Sequence, residues 1–306
     1  MNEAGLLLAS VFSAGTVLAL AGLGLLIKGK AGVMDVGGEG MMLGEGLAAY
    51  GGGAHTGSEW LGFAAGMGAG AVLAGVLGWL VIWLNTNQSA TGLALSLLGA
   101  GLSAFVGVPY TQQALPARSH FAIPVLSELP LVGKMLFMQH QMVYASVAVA
   151  LFLVWFFYRS RAGLVLRSVG ESPASAHALG YPVRRIRLAA VVAGGALCGV
   201  AGAYLSLVYT PQWVEGMVAG KGWIALALTT FATWRPLRIL LGAWLFGGVT
   251  MLQFWLQSQG VDMPSQLLTM LPYLVIIAVL MLISRNPVWI RVNRPAALGL
   301  PFHLGG

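Results

Sequence analysis

Residues 170–180 read GESPASAHALG, and they lie between two apolar segments that are each long enough to cross a membrane. Ser172 suits an N-cap, Pro173 the first helical position, and Glu171 the positive start of a helix. Gly180 supplies a left-handed stop and Pro182 forbids continuation. The result is a helix of about two turns, too short to sustain itself in water. Arg159, Arg161 and Arg167 precede it; Arg184, Arg185 and Arg187 follow. A short, capped turn held between two spans on the basic side of a membrane has the form of a docking element. An ordinary surface loop is the alternative that pattern alone leaves open.

Composition sets the class around this turn. Hydrophobic residues make up 58% of the 306 and charged residues 8%, so the chain reads as an all-α polytopic membrane protein. The 43 glycines and 10 tryptophans fit closely packed membrane helices with interfacial anchors. The net charge of +7 raises nucleic-acid binding, but the basic residues sit in short inter-span loops rather than on one face. With Cys198 as the only cysteine, an internal disulfide and a cysteine metal cage are excluded. Met1-Asn2-Glu3 provides no basic leader, so residues 5–27 read as a retained span.

Apolar runs fall at 5–27, 33–53, 61–84, 90–108, 142–158, 188–209, 217–233, 237–257 and 264–284. That predicts about nine spans, with eight to ten compatible. The segment 217–233, glycine-rich and carrying Lys221, reads as broken or re-entrant. With the N-terminus outside, nine crossings leave the C-terminus in the cytoplasm. Lys28, Lys30, the six loop arginines, Arg235, Arg238, Arg285, Arg291 and Arg294 then face inward, 13 of 16 basic residues. The positive-inside rule favours this orientation. Residues 1–284 thus form the transmembrane domain, with an external segment at 109–141 expected to form a small cap or interfacial helix. The cytoplasmic loop is 159–187. The tail 285–306 is expected to lie irregularly along the cytoplasmic surface.

Carboxylates inside a span are costly unless paired, protonated or wet. Asp35, Glu39 and Glu45 sit in or near the second span; Asp35 is expected to cap the helix beside Lys28 and Lys30, while Glu39 and Glu45 are open between a solute path and a structural role. Asn87, Thr91 and Ser96 give an uncharged polar run into the fourth span, suited to helix packing or to a neutral polar solute. The stretch 215–222, EGMVAGKG, shares Glu-Gly-Met and two later glycines with 39–46, EGMMLGEG, and crosses in the opposite sense, as inverted repeats do. Ala219-Gly220-Lys221-Gly222-Trp223 looks like a phosphate loop but fails, because Gly216 is one residue too close and no Ser or Thr follows Lys221. The five histidines have no metal-ligand spacing, and no nucleophilic triad is visible.

Four motifs carry a family resemblance. GVMDVGGEGMMLGEGLAA at 32–49, TGLALSLLGAGLSAF at 91–105, the 170–205 stretch beginning GESPASAHALG, and VEGMVAGKGWIALAL at 214–228 occur in order. Together they resemble the permease subunits of bacterial ATP-binding-cassette importers of the nucleoside type, within a group that also serves ribose-like sugars and branched-chain amino acids. The chain departs from the pattern at Asp35 (usually Asn), Gly38 (usually bulky) and Ser172 (usually Asn).

The resemblance implies a non-enzymatic translocation subunit in a bacterial inner membrane. It implies ATP on separate cytoplasmic ATPase partners, a second permease subunit, an external solute-binding protein and no cofactor in this chain. Glu171, Ser172, Pro173, Ala176, His177, Leu179 and Gly180 would couple to the ATPase. Glu39, Glu45, Asn87, Thr91, Ser96, Lys221 and Trp223 would contribute to the path, with a nucleoside as the expected solute. An ion-coupled secondary transporter using Glu39, Glu45 or Lys221 is the rival from another class.

Overall fold

The computed structural model describes residues 3–111, 113–116, 121–122, 138–259, 264–284 and 293–303. Long helices are α1 (Glu3–Lys30), α2 (Gly38–Thr56), α3 (Glu59–Trp83), α4 (Gln88–Gly107), α5 (Gln141–Arg159), α8 (Val183–Tyr204) and α10 (Pro236–Ser258). Shorter ones are α6 (Arg161–Glu171), α7 (Pro173–Ala178), α9 (Lys221–Phe231), α11 (Ser265–Thr269) and α12 (Leu271–Ser284). Among the described residues, six helical segments are long and apolar enough to span a bilayer. The glycine-rich α2 and the short α9 and α12 occupy the other three expected segments. Thus the segment at 217–233 is a half-helix of 11 residues behind a run of turns, and the segment at 264–284 is split in two.

Apolar on all sides, α1 has no outward face to offer and takes the centre of the bundle, where Val17, Leu20, Leu23 and Leu26 are buried. It packs against α8 and α10, while α3 crosses α8 at a seam of glycines. A Cβ on Gly70 would stand 2.3 Å from the Gly195 carbonyl, and one on Gly199 would stand 2.2 Å from that of Gly66. In a bilayer, where lipid tails are as apolar as leucine, such close backbone approach is what holds helices together. The periphery is correspondingly greasy: Leu97, Phe105, Leu241 and Trp155 are exposed, which water would not tolerate but lipid does.

Three departures from the sequence reading matter for function. The second helix begins at Gly38 rather than near 33, and residues 31–37 form a turn and an extended link. The basic loop 159–187 contains a second helix, α6, whose Leu166, Val169 and Gly170 are buried. Residues 293–303 of the tail do not merely lie on a surface: Ala297 and Leu298 are buried against the body. In the 109–141 segment, Val108–Tyr110 make a single tight turn. Phe121–Ala122 (β1) pairs antiparallel with Met138–Gln139 (β2). Gln112, 117–120, 123–137 and the tail at 285–292 lie outside the described residues.

Candidate functional site

The turn after Gly37 and the start of α9 meet at Glu39. Its two carboxylate oxygens accept from the amides of Gly220 (2.7 Å) and Gly222 (2.8 Å). The first amides of a helix have no partner within it, and a carboxylate both satisfies them and complements the helix dipole. Contact is backbone to backbone, since a Cβ on Gly222 would stand 2.5 Å from the Glu39 Cα. The two similar Glu-Gly-Met segments therefore pack together through Glu39 and Gly222, while Glu215 is exposed. Positive φ at Gly216 (70°), Ala219 (48°) and Gly220 (82°) winds the approach to α9 tightly. Lys221 bonds back to the Val218 carbonyl at 3.2 Å, Trp223 is exposed beside it, and the Tyr273 hydroxyl donates to the Ala219 carbonyl at 3.4 Å.

The link before α2 is pinned from three sides. Asp35 accepts from the Gly37 amide at 2.8 Å through one oxygen and pairs with Lys28 at 2.5 Å through the other. Both side chains of that pair are buried, so the ion pair replaces solvent for two charges that neither could carry alone. Gln88 accepts from the Met34 amide at 2.7 Å. Asp35, expected to cap this helix, instead braces the link in front of it: the N-cap is Gly37, without a side-chain cap, and Asp35 holds its amide. Gln88 was missed, its only signal being its place in the polar Asn87-Gln88 turn.

The remaining candidates separate. Glu45 is fully buried where α2 crosses α8 at Gly202, and among the described residues neither carboxyl oxygen has a hydrogen-bond partner. Ser96 accepts from the Gly40 amide at 2.9 Å, locking α4 to α2 where a Cβ on Gly40 would collide with the Ser96 carbonyl. Asn87 is the N-cap of α4, accepting from the Ala90 amide at 3.0 Å, and Thr91 bonds to Thr86 at 2.9 Å. In this structure Asn87, Thr91 and Ser96 shape helix ends and crossings. A cavity of about 560 Å³ lies elsewhere, between α2, α3 and α4, with walls such as Leu47, Val72, Leu73 and Leu102. His55, Ser103 and Tyr110 are its polar lining residues.

At the basic end, α7 has the expected form. Ser172 caps it by accepting from the Ser175 amide at 3.3 Å, Pro173 opens it, and Gly180 takes φ +86°. The Tyr181 amide closes on the Ala176 carbonyl at 3.1 Å. Glu171, expected to favour the helix start, ends α6 instead. Ala176, one of the residues expected to couple to the ATPase, is only 2% exposed and packs beneath the turn with Val169 and Val183. The outward apolar residue is Leu179, 77% exposed, and His177 stands edge-on to Phe302, ring centroids 5.8 Å apart.

The family described as branched-chain amino acid transport system / permease component matches residues 7–283. A putative glucose ABC transporter permease protein of Haloferax volcanii is 42% identical, covering 96% of each chain. A nucleoside ABC transporter permease protein of Lactococcus lactis is 29% identical over 92% of this chain and 93% of its own. A guanosine ABC transporter permease protein of Bacillus subtilis is 29% identical over 94% of this chain and 93% of its own.

Proposed function

We propose a solute-conducting function from one established premise: the chain belongs to the family of branched-chain amino acid transport system permease components. On this reading it is the translocation subunit of an ATP-binding-cassette importer in a prokaryotic cytoplasmic membrane. A second permease subunit completes the path. ATPase subunits bind at the basic, cytoplasmic end, and an external binding protein delivers solute from the other side.

The observation that carries the reading is the Glu39 bridge. It joins the broken entry to α2 with the half-helix α9, and interrupted helices whose ends meet are where membrane transporters handle polar cargo. Commitment of both Glu39 oxygens to amides argues against its serving as an ion-coupling acid. The exposed Leu179 turn supplies a face for the ATPase.

The solute is a neutral molecule carrying a sugar ring. Similarity at 42% to a putative glucose permease favours a monosaccharide. The nucleoside reading stands second, on the motifs and on the two relatives at 29% identity. Uptake of radiolabelled glucose, ribose, uridine, guanosine and leucine by cells carrying the complete system tests both. Glucose or ribose uptake supports the first reading and uridine or guanosine uptake the second; uptake of leucine alone would sink both and leave the permease role intact.

A further inference from the structure

The tail segment 293–303 touches both the docking turn and the entry to α2. The Gly299 amide donates to the Gly32 carbonyl at 3.2 Å, where the chain leaves α1. The Ala297 amide donates to the Gly170 carbonyl at 3.0 Å, at the end of α6. Arg187, from the first turn of α8, donates to the Leu300 carbonyl at 3.3 Å, and Lys30 to that of Asn293 at 3.0 Å. Four elements that meet at the basic end are thus fastened to one short peptide.

Beyond Leu300, Phe302 packs against the small apolar cluster of Val169, Ala176 and Val183, which is separate from the main core. This cluster is what seats α7, a helix too short to hold a position alone. Among the described residues three buried side chains make it, and Phe302 and Ile186 close its edge, so the aromatic ring is a substantial share of its packing. The same peptide that seats the turn through Phe302 holds Gly32 through Gly299. From Gly32 the route to Glu39 runs through the link that Asp35 and Gln88 pin.

We infer that residues 293–303 are a coupling strap. Phe302 is the positioning residue that makes the docking turn and the entry to α2 move as one body, so that a push on α7 reaches Glu39 and the start of α9. This rests on the reading of α7 as the ATPase contact. It adds that the contact alone is insufficient for transport.

The test uses the complete importer in proteoliposomes. Spin labels go on Ala174→Cys and Ser89→Cys, both at exposed positions, while the native Cys198 is buried. Phe302→Ala, Phe302→Tyr and a chain ending at Arg294 are compared. In the parent and in Phe302→Tyr, the distance between labels should stay narrow and constant on trapping with ATP and vanadate. In Phe302→Ala and the shortened chain it should broaden, with ATPase association kept. Uptake of glucose or uridine per ATP hydrolysed should fall by about tenfold, the size of a typical coupling free energy.

Unchanged distances, or normal uptake per ATP despite broadening, would overturn the strap. So would loss of ATPase association in Phe302→Ala, which would make the tail a mere support for the turn. Leu179→Arg serves as the separate control. If it retains ATPase and transport, the docking reading fails, whatever the strap variants do.

Discussion

Glu39 and Gly220, 181 residues apart in the chain, are joined by a hydrogen bond of 2.7 Å from the Gly220 amide to the carboxylate. With its partner bond to Gly222, it makes one acid serve as the cap of a helix that begins far downstream. Glu39→Gln keeps the shape but loses the charge and presents an amide NH2 group to one of two donors. The expected result is a loss of about 1–3 kcal/mol, the scale of a charge-assisted bond, and a larger proportional loss of uptake. Thermal unfolding in detergent and uptake in proteoliposomes measure the two. An unaltered unfolding midpoint would show that the bridge does not hold α9.

The Lys28–Asp35 pair is buried on both sides. Lys28→Met strands a carboxylate and Asp35→Asn strands an ammonium, so each alone should destabilise by about 3–5 kcal/mol. Asparagine can still accept from the Gly37 amide. The double variant Lys28→Met/Asp35→Asn should therefore return most of the loss. A double-mutant cycle on unfolding stability checks this, and additive losses would count against it.

The turn at 172–180 has an inside and an outside. Ala176→Arg forces a charge beneath α7 and should lower the yield of folded protein, because Ala176 is enclosed. Leu179→Arg lies on the surface and should leave stability within about 0.5 kcal/mol while removing the ATPase from the purified complex. Co-purification and size-exclusion profiles distinguish the two. The opposite pattern would relocate the contact face.

Orientation is testable with single cysteines, since Cys198 is buried. Ser175→Cys on the turn should react with an impermeant maleimide only from the cytoplasm. Thr56→Cys, at the exposed last residue of α2 at the other end, should react only from outside. Labelling of both from one side would invalidate the positive-inside layout.

Sequence alone determined the class of this protein, its principal apolar segments and the form of the turn at 172–180. Those depend on local chemistry: runs of apolar residues that only lipid accepts, and a Ser-Pro start with a glycine stop whose dihedral demands are met within a few residues. It also identified the residues of the bridge, Glu39 and the Gly220–Gly222 stretch, without pairing them. Tertiary structure decided the pairing, because whether a carboxylate in a span lines a path or caps a distant helix depends on which backbone amides arrive beside it. It likewise turned Ala176 inward and Leu179 outward, set Ser96 against the Gly40 amide, and drew the tail under the turn. A helix of two turns has no amphipathic period long enough to reveal its buried face. A tail rich in proline has no period at all, so their partners become visible only when the helices have packed.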